Sequence, residues 1–389
     1  MNKSLRILAA LGLALVATMP TAFAQLNVPS DGSDGVLNIT SNTVIDLSLA
    51  STNGWDADNS ARAGLGVYDS NKWAVVFKYS SVNIGVGSTV TFKNHRSYAP
   101  VVWLVQSNVT INGIVSLDSV NGTSAVPDSL SPTEPGPGGF RGGAIGPSGI
   151  GSGFGPGGGG LGFSTYRSSY GNPQILPLIG GSGSGGHTTP GRNGPSGGGA
   201  ILIVASGSAT IGGKVTAKPA QWVEGIYDST SAGGAIKIIA NQILGTGTID
   251  AERDGRTRME ANLISSQLNI FPNTVAVPPG PTPVIWPPSN IPTVRVVSVD
   301  GQPAPVDPSA ALSTSSDIGM QNNSPVDIIL ETKNFPIQGI VALRIGPKYA
   351  AAYWLNATYV SGNLAQATWK VTTTLPSAFC VLQARATAP

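Results

Sequence analysis

The chain has 389 residues, with 22 basic and 20 acidic side chains, 51 glycines, 30 prolines and one cysteine. Once Lys3 and Arg6 of a leader-like start are set aside, basic and acidic residues balance at 20 each, which excludes the basic footprint of a nucleic-acid binder. Cys380 alone makes no intramolecular disulfide, so the spacing predicts a fold held by its own core and a strand thiol that is buried rather than nucleophilic.

Residues 1–24 read as a secretory signal: a basic start, an apolar run over 7–16, and Ala22-Phe23-Ala24 as a small-x-small cleavage site, giving a mature chain from Gln25. The apolar run is short for a bilayer span, and no later segment is long and apolar enough to be one. Residues 25–68 are polar with short strand-like runs, as expected of an N-terminal cap over the open end of a stack. Two strand-rich stretches follow, from Val75 and from Val101, and the second lines up with the stretch from Ile201 when one residue is inserted.

Residues 136–199 hold about half of the 51 glycines. Two readings stand for this tract. It is either a flexible low-complexity excursion or an ordered lobe in which bare backbones approach closely, in its boldest version a bundle of extended polyglycine helices. Phe140, Phe154, Phe163, Tyr166, Tyr170, Ile175 and Leu178 punctuate it, which a pure linker does not need.

A ten-residue phrase then recurs: GAILIVASGS from Gly199, GAIKIIANQI from Gly234 and GRTRMEANLI from Gly255, the last two starting 21 residues apart. A repeat at that period predicts units that bury their apolar faces only by stacking on one another. Eight prolines in residues 272–292 exclude a central strand or a helix interior and predict a linker. Residues 293–389 alternate as short strands between turns, the pattern of a β-sandwich.

Candidate chemistry is sparse. Asp118, Lys218 and Glu252 stand three residues after Val115, Val215 and Ile249, so stacked units place them in one row with Asp250, Arg253 and Asp254 nearby. Such a row is either a carboxylate–base constellation for polysaccharide cleavage or a set of solvated turn charges. His95 and His187 lack partners at metal-ligand spacing and read as surface residues, so neither metal nor cofactor is expected. Asp56–Ser60 and Asp31–Gly35 begin like calcium loops, but the first fails at Ala61 and Val67, and the second reads as a tight turn. Most tryptophans are expected in the core. Trp222 and Tyr227, in the insert between two repeats, are the candidates for stacking on sugar rings.

The signal, the GGAIxIxA units, the glycine-rich excursion and the terminal sandwich together resemble a group of secreted bacterial proteins that look like right-handed parallel β-helices of the pectin-lyase-like kind. The resemblance covers most of residues 30–261. It implies an all-β fold: a β-helix over 25–271 with its cap (25–68) and glycine-rich insertion (119–199), a linker (272–292), and a small immunoglobulin-like sandwich (293–389). Enzymes of that kind generally carry arginine, lysine or aspartate constellations on one sheet, and no such set maps onto numbered positions here. The expected function is therefore a secreted or cell-surface, non-enzymatic structural or adhesive protein, with polysaccharide or cell-surface components as partners. The alternatives are a polysaccharide lyase or glycoside hydrolase using Asp118, Lys218, Asp250 and Glu252, and a glycan binder without turnover.

Overall fold

The computed structural model describes residues 25–120, 133–146, 149–159, 170–186, 193–224, 227–252, 254–274, 276–309, 316–321, 325–376 and 379–389, with backbone alone for 221–224 and 227–230. The signal expected over 1–24 lies outside the described residues, as do Phe163, Tyr166, His187 and Arg253. The chain is all-β, and its largest sheet is parallel and curled into a half-barrel. Among the described residues no helix is long and apolar enough to cross a membrane.

Three parallel ladders organise residues 35–271. The first runs through Ala74–Ile84, Val101–Val105, Ala200–Ala205, Ala235–Ile239 and Arg256–Glu260. The second joins Gly35–Ile39, the end of Ala74–Ile84, Val109–Ile111, Ser208–Ile211, Gln242–Leu244 and Leu263–Ile264. The third joins Thr43–Asp46, Thr89–Lys93, Ile114–Ser116, Lys214–Thr216, Thr248–Asp250 and Asn269–Phe271. The repeated phrases opening at 199, 234 and 255 are thus adjacent strands of one sheet. The one-residue insertion assumed between the Val101 and Ile201 stretches is not needed, since Ile201 pairs with Val101 and Lys214 with Ile114 at a constant offset. The stretch expected as a cap contributes the first strands of two ladders.

β-branched residues dominate these strands because they pack well on a pleated surface. One face of the first ladder, with Val75, Phe77, Val101, Trp103, Ile201, Ile203, Ile236 and Met259, packs in one core with side chains of the other two ladders. Its opposite face, with Val76, Val102, Leu104, Leu202, Val204 and Ile239, is also buried, under Ile175 and Leu178 of the glycine tract, Leu26 and Ile285. Burial on both faces is why VVWLV and ILIV read as unbroken apolar runs instead of alternating ones. Each such Val, Leu or Ile contributes about 1.5–3 kcal/mol on burial. The proline tract carries no strand among its described residues, yet it is not a free spacer. Val277 pairs with Glu260, and Trp286 packs edge-on against Trp55 at 5.5 Å.

The glycine tract is an ordered lobe over its described residues, and apart from the short antiparallel pair Ile145–Gly146 with Gly149–Ile150 its hydrogen bonding is not that of a sheet. Phe140 N donates to Gly181 O at 3.0 Å, Gly181 N to Gly198 O at 2.8 Å, and Gly197 N to Phe140 O at 2.9 Å, closing a triangle of three segments. The central segment, 180–186, also receives from Gly143 N and Ala232 N and donates from Gly183 N to Phe154 O and from Ser184 N to Pro195 O. A strand in a flat sheet bonds to neighbours in one plane; this segment has them on several sides. Only bare backbone permits it. A Cβ on Gly142 would fall 1.8 Å from Gly194 O, one on Gly197 2.0 Å from Gly181 O, and one on Gly183 2.1 Å from Arg141 O. The ordered reading of the tract, rather than the flexible one, describes these residues.

After the prolines, two antiparallel sheets enclose a third core. One contains Thr293–Val299, Val326–Lys333, Gln366–Thr373 and Thr358–Gly362, the other Tyr353–Asn356, Ile340–Pro347 and Cys380–Thr387. Ile328, Leu330, Leu343, Ile345, Trp369 and Val371 meet between them. Arg344 Nη2 donates to Gly153 O at 2.9 Å and Ala352 N to Ser152 Oγ at 3.0 Å, so this unit rests on the glycine lobe. Gly197→Ala is expected to lower the unfolding free energy by about 1–3 kcal/mol, the usual cost of overpacking. In contrast, Gly319→Ala, with nothing within 4 Å of its added Cβ, should stay within about 0.5 kcal/mol by urea denaturation.

Candidate functional site

The row foreseen after the third ladder is assembled. Register pairs Val115 with Val215 and Val215 with Ile249, so Ser116, Thr216 and Asp250 point outward side by side. Two residues further, Asp118, Lys218 and Glu252 stand at the corner that leads back toward the first ladder. Although the glycine lobe separates Asp118 from Lys218 in sequence, Lys218 N donates to Asp118 Oδ1 at 2.6 Å. Lys218 Nζ lies 2.8 Å from Asp250 Oδ2 and 3.3 Å from Glu252 Oε1. Asp250 Oδ1 accepts from Glu252 N at 2.9 Å, and this turn holds Glu252 at φ +60.

The electrostatics follow from these contacts. The hydrogen bond to Asp250, reinforced by Glu252, holds the Lys218 ammonium above its ordinary pKa. Burial pushes the Asp118 carboxyl up, against the Lys218 amide and nearby hydroxyls, which pull it down. One cation therefore sits between two carboxylates, and the third carboxyl caps a backbone amide. The single ammonium does not balance all three carboxyl groups, but it engages two of them.

Other sequence candidates resolve differently. The backbone of Gln221–Glu224 and Tyr227–Thr230 forms an antiparallel hairpin in which Trp222 pairs with Ser229 and Tyr227 with Glu224; their side chains lie outside the described residues. His95 is not a surface residue. It is 7% exposed, stacks on Tyr68 at 4.0 Å, and its Nδ1 lies 2.8 Å from Ser97 Oγ, with burial pushing its pKa down. Tyr68 in turn donates to Asp307 Oδ1 at 2.6 Å, tying the parallel sheet to the C-terminal unit. Trp103 is fully buried, as expected, whereas Trp354 is 37% exposed with the Arg385 guanidinium 4.2 Å from its ring centre. Cys380 is half-buried in a strand, and burial pushes its thiol up.

The two calcium-like stretches converge on an ammonium. Lys78, 1% exposed, donates from Nζ to Asp31 Oδ2 at 2.7 Å, to Asp56 O at 3.2 Å and to Ala57 O. Asp34, beside it, accepts from Lys78 N, Asn59 Nδ2 and the amides of Gly64 and Gly66. Among the described residues no three His, Cys, Asp or Glu side chains cluster to hold a metal. A buried lysine in an apolar strand carries no local sequence signal, because the carbonyls and the carboxylate that receive it come from distant turns. Lys237 is the same case: fully buried on the outer face of the first ladder, 3.3 Å from Glu260 and 3.0 Å from Gln174 O.

Searches against protein-family profiles, curated proteins and solved structures gave no match.

Lys218→Met should lower stability by only about 0.2–1 kcal/mol at neutral pH, since the pair is partly exposed and screened. Because Lys218 is raised in the folded state, that difference is full below its unfolded value of 10.5 and closes as pH rises through the folded one. Asp118 has the opposite effect on neutral stability. A carboxyl raised by folding favours the native state only when protonated, so Asp118→Asn should stabilise the protein at pH 7 and lose that advantage as pH falls through the raised value. Chemical denaturation of the three proteins across pH checks both signs.

Proposed function

We propose that the chain is an exported, non-enzymatic structural or adhesive protein of a bacterial cell envelope. In this reading residues 25–271 form a right-handed parallel β-helix, and the C-terminal unit is an immunoglobulin-like sandwich. The three ladders and the repeat spacing support the solenoid, and the strong right-handed bias of crossovers between parallel strands supports its hand. The observation that carries the functional half is the Lys218 ammonium held between Asp250 and Glu252. A general base works when it is unpaired and within reach of a substrate proton, and Asp250 and Glu252 are both engaged by Lys218. Function is then display: stacked strands make a stiff rod, and the glycine lobe and the hairpin at 221–230 decorate it. The sandwich spaces or docks the rod.

The rival reading, cleavage of a polysaccharide, takes its support from the same four residues standing together. Incubating mature protein with a polysaccharide panel separates the two. The expected result is no unsaturated or reducing ends from either wild type or Asp250→Ala. Ends released by wild type and abolished in Asp250→Ala would establish the enzyme instead. Fractionation with mass spectrometry should find the chain outside the cytoplasm, beginning at Gln25; a wholly cytoplasmic protein would sink the proposal.

A further inference from the structure

A cavity of about 300 Å³ opens where three segments meet: the turn at 170–175 of the glycine lobe, the start of the strand Arg256–Glu260, and Pro272-Asn273. Its volume is at the small end of ligand sites, the size for a monosaccharide or an amino acid. Pro173, Ile175 and Pro272 give it apolar walls, and Thr257, Asn273 and Arg256 give it polar ones. Thr257 Oγ1 donates to Pro272 O, which leaves its lone pairs able to accept.

Arg256 differs from most of the other enclosed cations of this molecule; Arg344 also meets no carboxylate among the described residues, but its guanidinium is held by Gly153 O and Gln383 Oε1. Lys78 has Asp31, Lys237 and Arg258 share Glu260, and Arg141 has Glu134. Among the described residues Arg256 meets no carboxylate. Its guanidinium makes one hydrogen bond among the described residues, from Nη2 to Ile179 O, although it carries five N–H donors. Nη1 is shut off from solvent with no acceptor among the described residues. The Tyr170 ring, its hydroxyl fixed on Gly180 O at 2.5 Å, lies with its centre 5.0 Å from the guanidinium carbon and fixes the plane. Gly171, at φ +82, roofs Nη1 so closely that a Cβ there would fall 1.8 Å from it. Burial lowers the Arg256 pKa, the mark of a cation without a compensating charge.

We propose that this cavity binds a small carboxylate, which pairs with the Arg256 guanidinium and shifts the Gly171 turn by about the width of a hydrogen bond. A planar carboxylate matches the guanidinium fork as no neutral acceptor does, and it supplies the counter-charge that the chain omits here. The apolar walls receive the rest of the ligand. The site goes beyond the display reading and uses none of its premises.

The test titrates the full mature chain with sodium D-glucuronate, N-acetyl-L-glutamate and, as the neutral control, methyl glucoside at constant ionic strength. Calorimetry reads affinity, and the Gly171 amide resonance of glycine-labelled protein reads the site without any variant. Saturable binding of at least one carboxylate is expected, with movement of the Gly171 resonance and no response to methyl glucoside. The tighter of the two carboxylates tells whether the body recognised is a sugar or an amino acid. Arg256→Gln should weaken binding at least tenfold, and Arg256→Lys, which keeps the charge but loses the fork, less. Absence of carboxylate binding to wild type, an unmoved Gly171 resonance, equal binding by methyl glucoside, or a folded Arg256→Gln that binds like wild type would each overturn the assignment.

Discussion

The contact on which the rest of this molecule depends is between bare backbones. In the glycine lobe the α-carbons of one segment lie against the carbonyl oxygens of the next, and each segment satisfies its amides on several sides at once. Ordering glycine costs more conformational entropy than ordering any other residue, so a glycine-rich tract holds only when its hydrogen bonds are met from all directions. The lobe then does what a hydrophobic layer would do. It covers the outer face of the first ladder through Ile175 and Leu178 and supports the C-terminal unit through Gly153 and Ser152.

The lobe leaves and rejoins the parallel sheet without disturbing its register. Strands on either side of it pair at a constant offset, and Gly199 N donates back to Leu117 O at 2.9 Å, closing the excursion at its base. That closure is what brings Lys218 onto Asp118. Loop-closure entropy rises only slowly with length, so a long ordered insertion between adjacent strands is thermodynamically tolerable. The buried cations reflect the same economy of side chains. Where turns and glycine segments present carbonyls, lysine and arginine supply the donors: Lys78 to Asp56 and Ala57, Lys237 to Gln174 and Val284, Arg344 to Gly153.

Much of the ladder arrangement was legible in the residues. Glycine followed by an alternating or apolar run marks each strand of the first ladder from Ala200 onward, and the equivalence of Asp118, Lys218 and Glu252 followed from spacing alone. What was not legible depended on covering layers. His95 in KNHRS looks like any polar turn; only the fold lays Tyr68 across it. Arg256 alternates in GRTRME like a solvated strand residue, and the turn that encloses it arrives from residues 170–175. The polar stretch 25–68 shows short strand-like runs but not that Thr43–Asp46 and Gly35–Ile39 open two different ladders, because short edge strands with few apolar residues look alike.

By itself the sequence determined the class of structure: all-β, with repeats that stack in parallel, a proline-rich tract, and an antiparallel unit after it. Those features are local, set by the β-propensity of branched residues and by where glycine and proline interrupt it. The tertiary structure alone decided that the glycine tract is a packed lobe, that the calcium-like loops grip an ammonium, and that Arg256 is enclosed with no carboxylate beside it among the described residues. Each of these depends on groups distant in the chain meeting at hydrogen-bond range, and no window of sequence records such a meeting.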